Sequence, residues 1–270
     1  MTSQREKADH FLALHHGDAP LLMPNPWDVG SARILESLGF QALATTSSGH
    51  AATLGRLDGG VTRDEALEHA ADIAGAGGLP VSADLENGFA DDPEAVAATI
   101  TLAIGTGVAG CSVEDYSAER GLYPPELAAE RVAAAAEAAH AGDVHLVLTA
   151  RAENHIRGNP ELADTIARLQ SFQEAGADVL YAPGLAKLED IRQVVTSVDL
   201  PVNVLALPNA PAVPELADAG VKRISVGGTF FYVAVAAMAE AARELLEQGT
   251  YGFWSTAGAG SGVACAAFTP

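Results

Sequence analysis

The sequence predicts an α/β fold: a single-domain (β/α)₈ TIM-type barrel in which eight parallel strands alternate with helices. Short β-like runs alternate with longer, alanine-rich helical segments along the 270 residues. Several joints repeat one pattern, a helix end followed by a glycine and then a strand, as in ESLGFQAL, TGVAGCSV, EAGADVL and DAGVKRISV. No GxGxxG motif follows the first strand, which argues against the alternative, a doubly wound sheet.

The individual elements follow from apolar runs and from helix start and stop signals. Thr62 with Glu65 three positions later forms a capping-box pattern, and the segment 91–94 carries acids and a proline typical of a first helical turn. The predicted strands are 21–24, 42–46, 81–84, 110–114, 144–151, 179–182, 202–205 and 223–227. The predicted helices are 28–38, 62–76, 91–105, 126–141, 160–175, 187–197, 211–219 and 229–247.

No linker divides the chain, so the barrel is assigned to residues 1–255. Residues 256–270 form a Gly/Ala-rich C-terminal tail. Two interpretations of this tail stay open, a loose segment and a segment that docks on a partner.

Composition limits the function classes. Hydrophobic residues make up 49% and charged residues 19%, which is typical of a globular protein, and the formal net charge of −20 argues against nucleic acid or anionic membrane as a partner. Two cysteines make no disulfide framework and suit a reducing compartment. The N-terminus lacks a signal-peptide pattern, and the apolar run 230–239 is too short to span a bilayer. We therefore expect a cytoplasmic protein.

Acidic residues end two neighbouring predicted strands. Asp84 and Glu86 follow the third strand and Glu114 ends the fourth. Active sites of such barrels lie at the C-terminal ends of the strands, where these acids would repel one another. A hard divalent ion, most simply Mg²⁺, would stabilise them, with some acids acting through water because Mg²⁺ takes only one or two direct carboxylates. The alternative is a set of solvated loop acids.

Other polar groups at the strand ends suit an anionic ligand. Arg151 ends the fifth strand as the only permanent cation predicted there, and its fork suits a carboxylate or phosphonate; the alternative is a structural pair with Glu114. The backbone amides of Ser48-Gly49-His50 can hold an anionic oxygen, unless the serines are ordinary turn residues. Asn203, on the seventh strand, either binds substrate or satisfies backbone groups of the core.

These residues resemble the isocitrate lyase/phosphoenolpyruvate mutase superfamily. The resemblance runs from PNPWDVGSARILESLGFQAL to SVGGTFF. Members share an Asn-Pro-x-Asp-like opening, a Ser-Gly stretch after strand 2, an acid on the following loop, a D-x-D/E after strand 3, a Glu closing strand 4 and an Arg closing strand 5. Here these positions are 25–28, Ser48-Gly49-His50, Asp58, Asp84 and Glu86, Glu114, and Arg151.

The resemblance implies a cofactor, a substrate class and an assembly. It implies a Mg²⁺ ion held by Asp84, with Asp58, Glu86 and Glu114 nearby. Mn²⁺ is the alternative ion. The substrate is a small 2-oxo or 2-hydroxy acid that faces the metal, Arg151 and the residue 48–50 amides. Bond cleavage leaves an enolate stabilised by the metal and Arg151, with Asp58, Glu114 and Arg151 as the catalytic set. The resemblance also implies a homo-oligomer, a dimer or tetramer, in which the C-terminal helix 229–247 packs on or exchanges with a partner subunit.

The chain departs from the superfamily at the loop after strand 4. This loop, DYSAERGLYPPELA, lacks the Lys-x-Cys-Gly-His of the isocitrate and methylisocitrate lyases and the Lys/Asn loop of the mutases. Only Tyr116, Arg120 and Tyr123 remain as loop groups that can assist the reaction, as part of a lid. We therefore expect a Mg²⁺-dependent carbon–carbon lyase or decarboxylase for oxaloacetate or a substituted malate. The alternatives are a phosphonopyruvate mutase or hydrolase and a non-catalytic barrel that binds a 2-oxo acid.

Overall fold

The computed structural model describes residues 2–269 and contains an eight-stranded parallel sheet. The hydrogen-bonded order is β1-β10-β9-β8-β7-β4-β3-β2, and the amide of Ala44 in β2 bonds to the carbonyl of Pro24 next to β1, 3.1 Å away, so that the sheet closes on itself. The predicted barrel is therefore confirmed. The strands are β1 Leu21–Met23, β2 Leu43–Ala44, β3 Val81–Asp84, β4 Gly110–Glu114, β5 Tyr116–Ser117, β6 Gly121–Leu122, β7 Val147–Arg151, β8 Val179–Tyr181, β9 Val202–Leu205 and β10 Arg223–Ser225.

Helices connect the strands on the outside of the barrel. All eight predicted helices are present within three residues of their predicted bounds, and three further helices occur at Gln4–Leu14, Ser47–Thr53 and Trp254–Phe268. The helices are α1 Gln4–Leu14, α2 Val29–Ser37, α3 Ser47–Thr53, α4 Arg63–Gly75, α5 Pro93–Ile104, α6 Pro125–His140, α7 Leu162–Glu174, α8 Leu188–Ser197, α9 Val213–Asp218, α10 Thr229–Gln248 and α11 Trp254–Phe268.

Local sequence signals explain where the helices begin and end. The Thr62 side chain accepts from the Glu65 amide, and the Glu65 carboxylate accepts from the Thr62 amide at 2.9 Å, which is a complete capping box. Gly176 and Gly220 take left-handed φ values of 98° and 87° directly after α7 and α9. A residue with a Cβ is disfavoured in this conformation, which explains the repeated helix–glycine–strand joint.

The C-terminal tail is helical, which departs from one of the two expectations for it. Residues 254–268 form α11, which packs against α2, so the loose-tail interpretation is wrong for the described residues. Helix α10 contains no buried residue and exposes Tyr232, Val233 and Met238. Within residues 2–269, no helix combines the length and the apolar character needed to cross a membrane.

The parallel register carries polar side chains to one end of the barrel. Glu114 on β4 pairs with Arg151 on β7, Arg151 with Tyr181 on β8, and Tyr181 with Asn203 on β9. The apolar residues between the strands and the helices form the main core, so these polar ends are the part of the barrel that opens to a ligand.

Candidate active site

A cavity of about 820 Å³ opens at the C-terminal ends of the strands. Its volume is in the range of small-molecule sites. Seven of the residues predicted from the sequence line it: Ser48, Asp58, Asp84, Glu86, Glu114, Arg151 and Asn203. The structure thus brings together side chains from six loops or strands that are far apart in the sequence.

Arg151 lies at the centre of the acidic groups. Its Nη1 is 3.1 Å from Asp84, its Nη2 is 3.1 Å from Glu114 and 2.7 Å from Glu153, and its Nε is 3.2 Å from Glu153. A guanidinium has five N–H donors, so these contacts leave one hydrogen of Nη1 for a ligand. The structural pair with Glu114 that the sequence left open is therefore present, and one donor remains beside it.

If all of them were ionised, the acids around Arg151 would carry more negative charge than the arginine balances. Burial, followed by the nearby charges of Asp84 and Asp58, raises the pKa of Glu86 from 4.5 to about 7. Burial also raises the pKa of Glu114, and the charges of Glu153 and Asp84 add to this effect against the opposing effect of Arg151. Both shifts show that this end of the barrel would gain from another cation.

Glu86 also has an unusual backbone. Its φ is +49°, and that of Phe89 three positions later is +56°, both in the left-handed region that side chains with a Cβ rarely adopt. Such conformations persist where the surrounding structure enforces them, and they cluster at functional sites. The turn that follows β3 therefore directs the Glu86 carboxylate into the cavity at a cost in backbone energy.

Asp84 is the best-held carboxylate of the predicted metal set. One oxygen accepts from the Ser47 amide at 3.2 Å, and the other contacts Arg151 and the Ser112 hydroxyl at 3.4 Å. The set of Asp84, Glu86 and Glu114 does not converge into a trio with all ligand atoms within 4.8 Å among the described residues. All donors are hard oxygens, so the arrangement fits Mg²⁺ bound by one or two carboxylates, with the others acting through water.

The structure corrects the prediction for residues 48–50. They lie in the first turn of α3, where the Gly49 amide donates to Thr46 Oγ1 at 3.3 Å and the His50 amide donates to the Thr46 carbonyl at 3.0 Å. These two amides are used by the helix and its cap, so they do not hold an anion, and neither residue lines the main cavity. His50 stacks on His69 with a ring separation of 3.9 Å. Ser48 is the member of the three that lines the cavity.

Asn203 faces another side chain rather than the backbone of the core. It is 1% exposed, and its Nδ2 donates to Ser225 Oγ at 3.0 Å. Its Oδ1 has no hydrogen-bond partner among residues 2–269. A buried acceptor without a partner costs free energy, which favours the ligand-binding interpretation of Asn203 over the structural one.

Three charged residues of the site were not predicted. Glu153 is fully buried and holds Arg151, while Arg157 lies 3.8 Å over the Tyr116 ring and 3.9 Å from Glu114. Arg223 is 2% exposed and lines the cavity from inside the barrel. Arg151 is therefore not the only arginine that lines the cavity. Arg157 lies six residues beyond its strand, and no local pattern distinguishes it from a surface arginine.

The loop after β4 is a small antiparallel hairpin of β5 and β6. Tyr116 and Glu119 line the cavity. Tyr123 is 1% exposed, and its hydroxyl bonds to Asn87 at 2.8 Å and to Asp91, so it is a structural residue of the hairpin. Arg120 pairs with Asp91 at 2.5 Å. Of the three predicted lid groups, only Tyr116 therefore lines the cavity in this structure.

Comparison with known proteins agrees with this geometry. A solved structure from Burkholderia cenocepacia, described provisionally as a lyase/mutase, is 47% identical, covers 93% of this chain and 91% of its own, and has a TM-score of 0.90. The structure of 2,3-dimethylmalate lyase is 28% identical, with a TM-score of 0.83 over 93% of this chain and 90% of its own. Oxaloacetate decarboxylase 1 of Pseudomonas putida is 30% identical over 224 residues, 78% of this chain and 75% of that protein.

The family assignment rests on most of the chain. Residues 11–246, which include every strand of the barrel and every charged side chain described above, match the model of the phosphoenolpyruvate phosphomutase family. The match therefore covers the strand-end residues that carry the resemblance together with the rest of the barrel. The chain belongs to this family, within the isocitrate lyase/phosphoenolpyruvate mutase superfamily.

Proposed function

We propose that the protein is a Mg²⁺-dependent carbon–carbon lyase or decarboxylase that acts on a small 2-oxo or 2-hydroxy dicarboxylic acid, such as oxaloacetate or a substituted malate. The observation that carries the proposal is the contact of one guanidinium, Arg151, with three carboxylates at the end of the barrel. The relatives named oxaloacetate decarboxylase 1 and 2,3-dimethylmalate lyase support this substrate class.

The acidic side chains of the cavity would hold the metal, some directly and some through water. Asp84 would be a direct ligand, and Glu86, Glu114 and Asp58 would act nearby, some of them through water. When bound, Mg²⁺ supplies positive charge beside the oxygen of the substrate on which negative charge develops. Mn²⁺ prefers the same oxygen ligands and is expected to substitute.

The remaining polar groups would bind and orient the substrate. Arg151 has one Nη1 hydrogen left for a carboxylate or an enolate oxygen, and it is held rigidly by its three acidic neighbours. Asn203 Oδ1 can accept from a hydroxyl or a water, and Ser48 also lines the cavity. Donors fixed in place before the reaction stabilise developing charge without the cost of reorganisation. We assign Arg151, Glu114 and Asp58 to the catalytic set on this basis.

The composition of the hairpin loop favours decarboxylation or retro-aldol cleavage. Residues 115–124 contain no cysteine, lysine or histidine, so the loop lacks the usual proton donors of these residue types. A reaction that leaves an enolate needs charge stabilisation more than an added acid at the cleavage step. The phosphorus–carbon alternative has no comparable support from a side chain of this loop.

We also propose a homo-oligomer. Helix α10 has twenty residues without one buried side chain, and it exposes Phe230, Val233, Met238 and Leu246. An apolar helix face of this length is typical of a subunit interface. We expect a second copy of the chain to pack against this face of α10.

Nuclear magnetic resonance tests the chemistry directly. The purified protein is incubated with oxaloacetate, methylated malates and phosphonopyruvate, first with Mg²⁺ and then with EDTA, and proton and phosphorus spectra are recorded. We expect pyruvate or another cleavage product faster than in a metal-only blank, with loss of turnover in EDTA and in Asp84→Asn. Conversion of phosphonopyruvate alone would establish the phosphorus–carbon alternative, and line broadening without turnover would favour a binding protein.

A further inference from the structure

A second candidate metal site lies at the opposite end of the barrel. His140, His145 and Asp178 are the only trio of metal-binding residue types within 2–269 whose ligand atoms all lie within 4.8 Å of one another. His140 is the last residue of α6, His145 lies on the connection to β7, and Asp178 directly precedes β8. All three therefore belong to the N-terminal face of the barrel, away from the cavity that contains Arg151.

The two imidazoles converge on one carboxylate. His140 Nε2 is 3.0 Å from Asp178 Oδ2, and His145 Nε2 is 2.9 Å from Oδ1. The rings stack with centroids 4.0 Å apart and an angle of 8° between their planes. We propose that this trio binds a divalent transition-metal ion of the zinc type, through both Nε2 atoms and the Asp178 carboxylate.

The distances suit a tetrahedral ion. Ligands about 2.0–2.1 Å from zinc lie roughly 3.3 Å apart. Each Nε2 is 2.9–3.0 Å from its own oxygen of Asp178, so these nitrogen–oxygen distances need to lengthen by only a few tenths of an ångström. Each neutral imidazole has one nitrogen without a hydrogen, so a change of tautomer makes Nε2 available. Because the two rings are nearly parallel, a rotation of the rings is also needed to point both Nε2 lone pairs at one ion. The histidine side chains are 28% and 39% exposed, which leaves the fourth position open to water.

The surroundings of Asp178 also favour a cation. The Leu148 amide donates to Oδ2 at 2.8 Å and fixes the carboxylate, as outer contacts commonly do for metal ligands. Burial raises the pKa of Asp178, but the hydrogen bonds from His140, the Leu148 amide and His145 outweigh it and leave the pKa below its ordinary value. The C-terminal end of α6 adds partial negative charge next to His140.

The position indicates a structural role for the ion. The site joins the end of α6, the loop before β7 and the start of β8, and none of the three residues lines the cavity at the other end. Residues on the N-terminal face of such barrels usually contribute to stability. A bound ion would therefore stabilise the N-terminal face of the barrel and leave turnover unchanged.

Cobalt and zinc titrations test the site in tag-free protein that carries Asp84→Asn, so that the catalytic acids do not compete. We expect one ion per chain by equilibrium dialysis and the visible absorption of four-coordinate Co²⁺. At a Zn²⁺ concentration of about a hundred times Kd, Tm should rise by roughly 5–10 °C. His145→Ala and His140→Ala should lose the cobalt band and the Tm shift.

The matched control is His10→Ala, which removes an exposed histidine of α1. It should keep both signals. In chains with a native Asp84, His145→Ala should keep the turnover of the parent protein, which separates this site from the catalytic one. Absence of the cobalt band and of the Tm shift in the Asp84→Asn protein with all three residues intact would show that the trio is a hydrogen-bonded group without a metal. That result would overturn the proposal. Equal signals in His145→Ala and the parent would also overturn it. Should either alanine variant fail to fold, the cobalt spectrum of the parent protein alone still decides, because nitrogen ligation by histidine changes its bands.

Discussion

Replacement of Arg151 by lysine should lower kcat/KM for oxaloacetate by about a hundredfold to a thousandfold. The guanidinium uses three nitrogens to contact Asp84, Glu114 and Glu153, whereas an ammonium has one nitrogen on a differently shaped stem. Contact with at least one carboxylate is therefore lost, together with the donor that faces the substrate. A hydrogen bond between charged groups contributes about 1.5–3 kcal/mol, so two lost contacts correspond to about 3–4 kcal/mol after water replaces part of them.

The assay compares steady-state rates of Arg151→Lys with those of Arg157→Lys under saturating Mg²⁺. Arg157 is the matched control because it lines the same cavity and also contacts Glu153, through Nε at 3.1 Å, but it lies 3.9 Å from the nearest Glu114 oxygen and forms no ion pair with Asp84. Its replacement should cost less than about tenfold. Circular dichroism and Tm verify that both variants fold. Unchanged kcat and KM in Arg151→Lys, or a larger loss in Arg157→Lys, would refute the central role of Arg151.

Three further outcomes follow from the contacts of the site. Asp84→Asn should abolish Mg²⁺-dependent turnover while keeping the far-UV spectrum and Tm; full activity would contradict the metal assignment. Because burial, Asp84 and Asp58 raise the pKa of Glu86 from 4.5 to about 7, the folded carboxyl keeps its proton to a higher pH than the unfolded one. The stabilisation from this proton is complete below about pH 4.5 and is lost as the pH rises to about 7. In EDTA, Glu86→Gln should therefore show a smaller fall of Tm between these pH values than the parent protein. Curves of Tm against pH that run parallel in the two proteins would show that Glu86 does not titrate there. Arg168→Met should lower the free energy of unfolding by about 3–5 kcal/mol, because it leaves Asp115 as a buried charge without its partner. Asp115 is 2.8 Å from Arg168, and its side chain is 2% exposed. Urea unfolding measures the loss, and a loss below about 1 kcal/mol would show that the pair is dispensable.

The fold was largely predictable because its signals are local and repeated. Each strand is a short apolar run, and each joint carries a helix stop followed by a strand. The missed helix α3 has only seven residues, and the run SSGHAAT from which it forms reads as a turn. Helix α11 is rich in glycine, which lowers helix propensity, and its packing against α2 is a long-range contact that no local pattern shows.

The candidate site was predictable where residues occupy strand ends and unpredictable elsewhere. Asp84, Glu114 and Arg151 follow directly from the barrel rule, because all three end strands at the same end of the barrel and the register pairs Glu114 with Arg151. Arg157 reaches the site through a loop, and Arg223 enters from the start of its strand, so neither position has a signal in the sequence. The prediction for Gly49 and His50 failed because a Ser-Gly run gives no indication whether its amides face a ligand or begin a helix.

The charge balance of the cavity argues for a bound cation more strongly than any single residue. The acids that surround Arg151 outnumber the arginines that reach them, and burial would normally be expected to select against such an excess. Glu86 adds to the cost, because its backbone is in the left-handed region and because burial and the charge of Asp84 raise its pKa. A chain without a ligand at this end would gain stability by replacing Glu86 with a neutral residue or with glycine. The arrangement is consistent with selection for a site in which a divalent ion and an anionic substrate complete the charge balance together.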